Sequence, residues 1–144
     1  MGADPIVGAT LALAPAMGRP DLRGFLVRKE AKGHGLGRRV EGGDVSGWRV
    51  ALVEDLVTTG GSSLDAVAAL RDAGAIVTDC LAITTYGFPG IADAFDEAAV
   101  RLTVLTTVAT IVDEAAAGGE LGPGPADDIR AWLADPVAWS ARVA

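Results

Sequence analysis

The stretch RVALVEDLVTTGGSSLDAVAALRDAG, residues 49–74, decides the fold. Arg49 to Val53 is a short apolar run carrying β-branched residues, as expected of a buried parallel strand. Two carboxylates follow, Glu54 and Asp55, and then a polar, glycine-bearing turn, Thr58-Thr59-Gly60-Gly61-Ser62. Leu64, Val67, Ala68 and Leu70 recur at helical spacing, and Gly74 supplies a stop. The unit is a strand, an acidic pair, a hydroxyl-and-glycine turn and a helix. Its chemistry follows from the parts. Glycines let the backbone approach an anion closely. The first turn of the helix leaves N–H groups unpaired at the positive end of its dipole. Hydroxyls of Thr58, Thr59, Ser62 and Ser63 can add donors, so the turn suits a phosphate. The G-x-x-x-x-G-K-[ST] pattern and its lysine are absent, which excludes a Walker A loop. Two carboxylates just before a phosphate cradle suit vicinal hydroxyls, and the ligand expected is a sugar phosphate. The alternative is a capped strand-to-helix turn that binds nothing.

Working outward, the 144 residues are enough for one domain with one core. Half of them are hydrophobic and the mean hydropathy is +0.35, as in a globular chain. No apolar run reaches the roughly 18 residues of a membrane span, and the N-terminus lacks the basic region of a signal peptide. No membrane partner is expected. The single cysteine, Cys80, sits in an apolar run and is read as a structural thiol, which fits a reducing cytoplasm. A formal charge of −7 argues against a nucleic-acid partner. The only two lysines and the one histidine, Lys29, Lys32 and His34, nevertheless fall together with Arg28, Arg38 and Arg39, and Glu30 is the one acid among them. Glycines at 33, 35, 37, 42, 43 and 47 mark this segment as a mobile loop. A cationic, glycine-rich loop beside a phosphate site reads as a lid over a small polyanion. The alternative is a solvated basic loop.

The rest of the chain alternates strands and helices. Asp4 reads as an N-cap and Pro5 as the first position of a helix running to about Met17. Phe25–Val27 is a short strand, Ile76–Tyr86 another, and Val100–Thr107 the last. Ile91–Ala98 and Thr110–Ala117 are helices. Leu121–Pro125 is a linker, and residues 126–134 form a final amphipathic helix stopped by Asp135-Pro136. An α/β loop such as Gly2-Ala3-Asp4-Pro5 normally follows a strand. The expected fold is therefore a Rossmann-like parallel sheet flanked by helices, a single domain over 1–144 that starts inside a strand–helix unit. Trp132 and Trp139 are read as core or interface anchors.

Residues 50–67, VALVEDLVTTGGSSLDAV, resemble the phosphoribosyl pyrophosphate (PRPP) motif of type I phosphoribosyltransferases, and RKEAKGHG, residues 28–35, is similar to the signature of the orotate phosphoribosyltransferases. Gly2-Ala3-Asp4-Pro5 looks like the pyrophosphate loop of a subset of them. The TTYGF stretch at 84–88 and the closing W-x-x-D-P-x-x-W pattern resemble one bacterial branch. Other branches carry an Asp-Arg pair near Thr84-Thr85, whose arginine meets the orotate carboxylate; that pair is absent. The resemblance covers the whole chain but only about the C-terminal two-thirds of a full member, and implies a first core strand and a hood that precede residue 1.

That family implies transfer of the phosphoribosyl group from PRPP to orotate, giving orotidine 5′-monophosphate and pyrophosphate in pyrimidine synthesis. It implies PRPP binding by Arg28, Lys29, Lys32, His34, Glu54, Asp55, Leu56, Val57, Thr58, Thr59, Gly60, Gly61 and Ser62. Lys32 and His34 would be catalytic, Gly2, Ala3 and Asp4 would form the pyrophosphate loop, and Thr58 would lie nearest the orotate. Mg²⁺ would be carried by PRPP without a direct protein ligand, and the enzyme would be a cytoplasmic homodimer. The alternatives are a non-catalytic PRPP- or nucleotide-binding regulator on the same fold and a truncated, inactive enzyme.

Overall fold

A computed structural model describes residues 2–29 and 39–143, the side chain of Val143 excepted. In chain order the elements are α1 (Asp4–Leu13), a 3-10 turn (Ala14–Met17), β1 (Leu26–Val27), β2 (Val40–Glu41), β3 (Arg49–Val57), α2 (Gly61–Asp72), β4 (Ile76–Thr85), α3 (Ile91–Glu97), β5 (Arg101–Thr107), α4 (Val108–Ala117), α5 (Pro123–Ala134) and α6 (Pro136–Val143). The three long strands form a parallel sheet in the order β3-β4-β5, with Leu52 opposite Cys80 and Cys80 opposite Leu102. β1 and β2 form a separate antiparallel ribbon, with Val27 opposite Val40.

One face of the sheet builds the core. Leu52, Cys80 and Ala82 project from it against Val67 and Leu70 of α2 and Ile91 and Phe95 of α3. Phe95 is 1% exposed, and Val27 and Val40 of the ribbon pack on the margin of this cluster. Burial pushes the Cys80 thiol up to about 12, helped by the charge of Glu54, as suits a structural thiol. The other face is far more open. Its apolar side chains, Leu81, Ile83 and Leu105, are 44%, 39% and 77% exposed.

Several expected boundaries shift for physical reasons. β3 continues through Glu54 and Asp55 to Val57, because its ladder with β4 runs on to Val57 opposite Thr85. The two carboxylates thus lie on the strand and point to opposite faces. Asp4 is not the N-cap of α1. Ala3 already has helical dihedrals and occupies that position, so Asp4 lies in the first turn, and the helix ends at Leu13 before the 3-10 turn that contains Pro15. Val40–Glu41, expected as loop, is a strand. The final helix begins at Pro123, in the expected linker, since proline suits a first turn. Pro136 ends nothing further; it opens α6, where Trp139 packs back by donating from Nε1 to Asp128 Oδ1 at 2.8 Å.

Candidate functional site

The site gathers at the C-terminal ends of the parallel strands, where α/β sheets hold ligands. There the Thr85 hydroxyl donates to the Val57 carbonyl at 2.8 Å and accepts from the Gly87 N–H at 3.1 Å, tying the tips of β3 and β4 together. The turn from β3 to α2 then leaves Thr58, Thr59, Gly61 and Ser62 exposed around the N-terminus of α2. Gly60 has φ +83°, and a Cβ there would fall 2.9 Å from Phe95 Cε2. The glycine is therefore required both by the left-handed backbone and by the core beneath it. Gly61 is different, because a Cβ there would meet only Thr59 Oγ1 at 3.9 Å. The open space is above Gly61, where an anion would meet the free N–H groups of the first helical turn.

The acidic pair divides its work. Glu54 is half-buried and accepts a hydrogen bond from the Ser63 hydroxyl at 2.9 Å, and Ser63 itself is buried. Ser63, expected as a possible phosphate donor, is thus a support for Glu54. Asp55 is exposed and accepts from the N–H of Leu56 at 2.9 Å. A Cβ at Gly2 would overlap the Asp55 carboxylate, so the start of the loop Gly2-Ala3-Asp4 lies directly against Asp55. The structure therefore places Gly2 against Asp55, and Glu54 against Ser63 in the first turn of the helix that follows the turn 58–62. Leu56 is half-buried on the strand and the Val57 side chain belongs to the core, so Val57 can meet a ligand only through its backbone.

The ribbon strand β1 contacts α2, and Arg28 and Lys29, which follow it, are exposed. Arg28 is already engaged, donating to Glu41 from Nε at 2.7 Å and from Nη2 at 3.2 Å. That contact holds the Arg28 guanidinium above its ordinary pKa. Lys29 is exposed and has no ion-pair partner among the described residues. Lys32 and His34 lie outside the described residues. Glu41, Arg39 and Asp65 were not singled out as site residues from sequence. Arg39 was noted only as a member of the basic cluster, and its pairing with Asp65 had no signal beyond opposite charge at a separation that nothing local links.

Beyond β4, Tyr86 and Phe88 stack at 5.3 Å between ring centroids, and Trp132 of α5 meets each edge-on at 5.2 Å. This aromatic wall lies next to the strand tips. Thr84 Oγ1, near the C-terminal end of β4, is buried without a hydrogen-bond partner among the described residues.

Known proteins resemble this chain in sequence and in fold. No protein-family model matches the chain. An orotate phosphoribosyltransferase of Rhodopirellula baltica is 45% identical over 108 residues, which are 75% of this chain and 55% of the relative. One of Bacillus pumilus is 37% identical over 139 residues, 94% of this chain and 66% of the relative. The solved orotate phosphoribosyltransferase of Aeropyrum pernix superposes with a TM-score of 0.65 at 31% identity, covering 85% of this chain and 63% of that one. That of Mycobacterium tuberculosis H37Rv, in complex with PRPP, gives 0.57 at 32% identity over 76% and 59%. The chain spans about half to two-thirds of the length of the relatives it matches. The strand–acid–turn–helix unit, the parallel sheet and these likenesses together make the chain a member of the type I phosphoribosyltransferase family, on its orotate phosphoribosyltransferase branch.

Proposed function

We propose that this chain binds PRPP and forms the phosphoribosyl-transferring core of an orotate phosphoribosyltransferase. The observation that carries the proposal is the open turn 58–62 at the N-terminus of α2, with Glu54 held by Ser63 and with Asp55 beside Gly2. The 5-phosphate would sit on the N–H groups and hydroxyls of Thr58 to Ser62. Asp55 and Glu54 would receive the ribose hydroxyls, with Ser63 holding Glu54 in place. Thr58 would lie nearest the orotate, and Gly2 to Asp4 would line the diphosphate.

In the reaction a ring nitrogen of orotate forms a bond to C1′ of the ribose, and the bond from C1′ to the diphosphate oxygen breaks. The electron pair leaves with pyrophosphate, and the nitrogen's proton is released. Positive charge builds on the sugar in the transition state, where the two carboxylates favour it electrostatically. Lys29, Lys32 and His34 would compensate the charge growing on the leaving group, with Lys32 and His34 as the catalytic pair. Among the described residues no group of three or more carboxylate, histidine or cysteine side chains could hold a metal ion. Mg²⁺ would arrive chelated by the diphosphate and would neutralise its charge.

A homodimer and a cytoplasmic location belong to the same proposal. The open apolar sheet face supports assembly, and among the described residues no helix is long and apolar enough to cross a membrane. A monomer in the analytical ultracentrifuge at micromolar concentration would remove the dimer. A second reading, a PRPP- or nucleotide-binding regulator without catalysis, draws support from Arg28, whose charge is spent on Glu41. Loss of orotate absorbance, followed with PRPP and Mg²⁺, separates the two. Turnover that collapses in Lys32→Ala supports the enzyme; PRPP binding without turnover supports the regulator.

A further inference from the structure

We propose that Arg39 is a positioning residue for the diphosphate end of PRPP, acting through the peptide that delivers Lys29. This rests on the PRPP-binding reading above. Arg39 stands immediately before the ribbon's second strand and uses its guanidinium in two directions. Nη1 and Nη2 donate to the two carboxylate oxygens of Asp65 at 3.0 and 2.5 Å. Nε donates to the backbone carbonyl of Arg28 at 2.9 Å. The backbone closes the same loop, because the Arg28 N–H donates to the Arg39 carbonyl at 2.8 Å. Asp65 lies one turn into α2, the helix whose N-terminus forms the phosphate cradle. One side chain therefore joins the cradle's helix to the peptide group between Arg28 and Lys29.

The geometry favours an orienting role over a supporting one. A ribbon with two residues per strand does not hold itself. Its attachment to the protein is apolar, through Val27 and Val40 on the core margin and Phe25 edge-on to Trp48 at 6.1 Å. Those contacts keep the ribbon folded without Arg39. They are non-directional, however, and do not fix the rotation of the Arg28–Lys29 peptide. A bidentate guanidinium–carboxylate fork with a third donor to a carbonyl does fix it. The pair also shifts both partners: Asp65 is held below its ordinary pKa and Arg39 above its own, each chiefly by this hydrogen bonding. Lysine offers no planar fork and cannot make the three bonds together.

The two ends of the ligand make the inference testable. Ribose 5-phosphate needs the cradle and the acidic pair, whereas PRPP adds the diphosphate that Lys29 would meet. Calorimetric titration of the full chain with each ligand, in Mg²⁺, compares the unaltered protein with Arg39→Ala, Arg39→Lys, Asp65→Asn and the Arg39→Ala/Asp65→Asn double variant. The expected result is ribose 5-phosphate affinity unchanged throughout, with PRPP weakened about fivefold in Arg39→Ala, a size suited to an exposed but well-formed ion pair. Arg39→Lys does not restore it, and the double variant is no worse than the single one. Undiminished PRPP affinity in Arg39→Ala overturns the inference alone. So does a parallel loss of ribose 5-phosphate, which marks Arg39 as a support of the fold. Failure of the unaltered chain to bind ribose 5-phosphate overturns the phosphate-site reading, and this inference with it.

Discussion

The β3–α2 unit and the β1–β2 ribbon meet the same candidate ligand but are held by different physics. In the first, the turn rests on the core: Gly60 lies on Phe95, Ser63 is buried against Glu54, and Val67 and Leu70 anchor the helix. In the second, the outward side chains are set by exposed charge pairs, Arg28 with Glu41 and Arg39 with Asp65, over a small apolar footing. Changes in the first region therefore cost stability and binding together. Changes in the second cost binding and leave stability nearly alone, since exposed pairs contribute little to folding.

The largest effect expected is Phe95→Ala. Removing a fully buried ring should cost about 3–5 kcal/mol in urea unfolding, and the turn above it should lose ribose 5-phosphate affinity. Gly60→Ala comes next. It forces a Cβ into a left-handed residue and against the same ring, for about 1–3 kcal/mol in the same measurement. Ser63→Ala leaves Glu54 without its hydroxyl partner and should cost about 1–2 kcal/mol. On the ribbon side, Glu41→Gln should move the unfolding midpoint by no more than the scatter of the measurement. A loss as large as that of Ser63→Ala would break the contrast between the two regions.

Alkaline pH probes the first region once more. The Cys80 thiol is raised from an ordinary 9.0 to about 12 in the folded chain, by burial first and by Glu54 second. The unfolded chain then gives up the thiol proton earlier than the folded one. Stability is full below about pH 9, falls as pH rises from there, and the contribution is gone above about pH 12. Unfolding midpoints from pH 8 to 10.5 should fall less steeply in Cys80→Ala than in the unaltered chain.

The same contrast explains what the sequence made legible. The β3–α2 unit was readable because apolar periodicity, the acidic pair and the glycine turn are all local signals. The carboxylates were placed after the strand because a polar pair normally ends an apolar run; the ladder to β4 carried the strand past them. Ser63 looked like a ligand donor because nothing local shows that its hydroxyl turns inward to Glu54. Of the ribbon, β1 was legible as the short strand at Phe25–Val27, whereas β2 was read as loop because glycines flank it and it has only two residues. Arg39 and Asp65 are 26 residues apart, and their pairing depends on tertiary placement alone. Trp139 was legible as an anchor, but its helix was not, because Pro136 signals a stop and a start equally well.

The central claim is that the turn between β3 and α2 holds the 5-phosphate of a ribose. Amide chemical-shift mapping of the full chain with ribose 5-phosphate tests it most directly. The account predicts that the largest shifts fall on Thr58 to Ser63, with Asp55 and Gly2 following and the ribbon at Val27 and Val40 little moved. No saturable shift at the turn, or shifts concentrated on another surface, would contradict it.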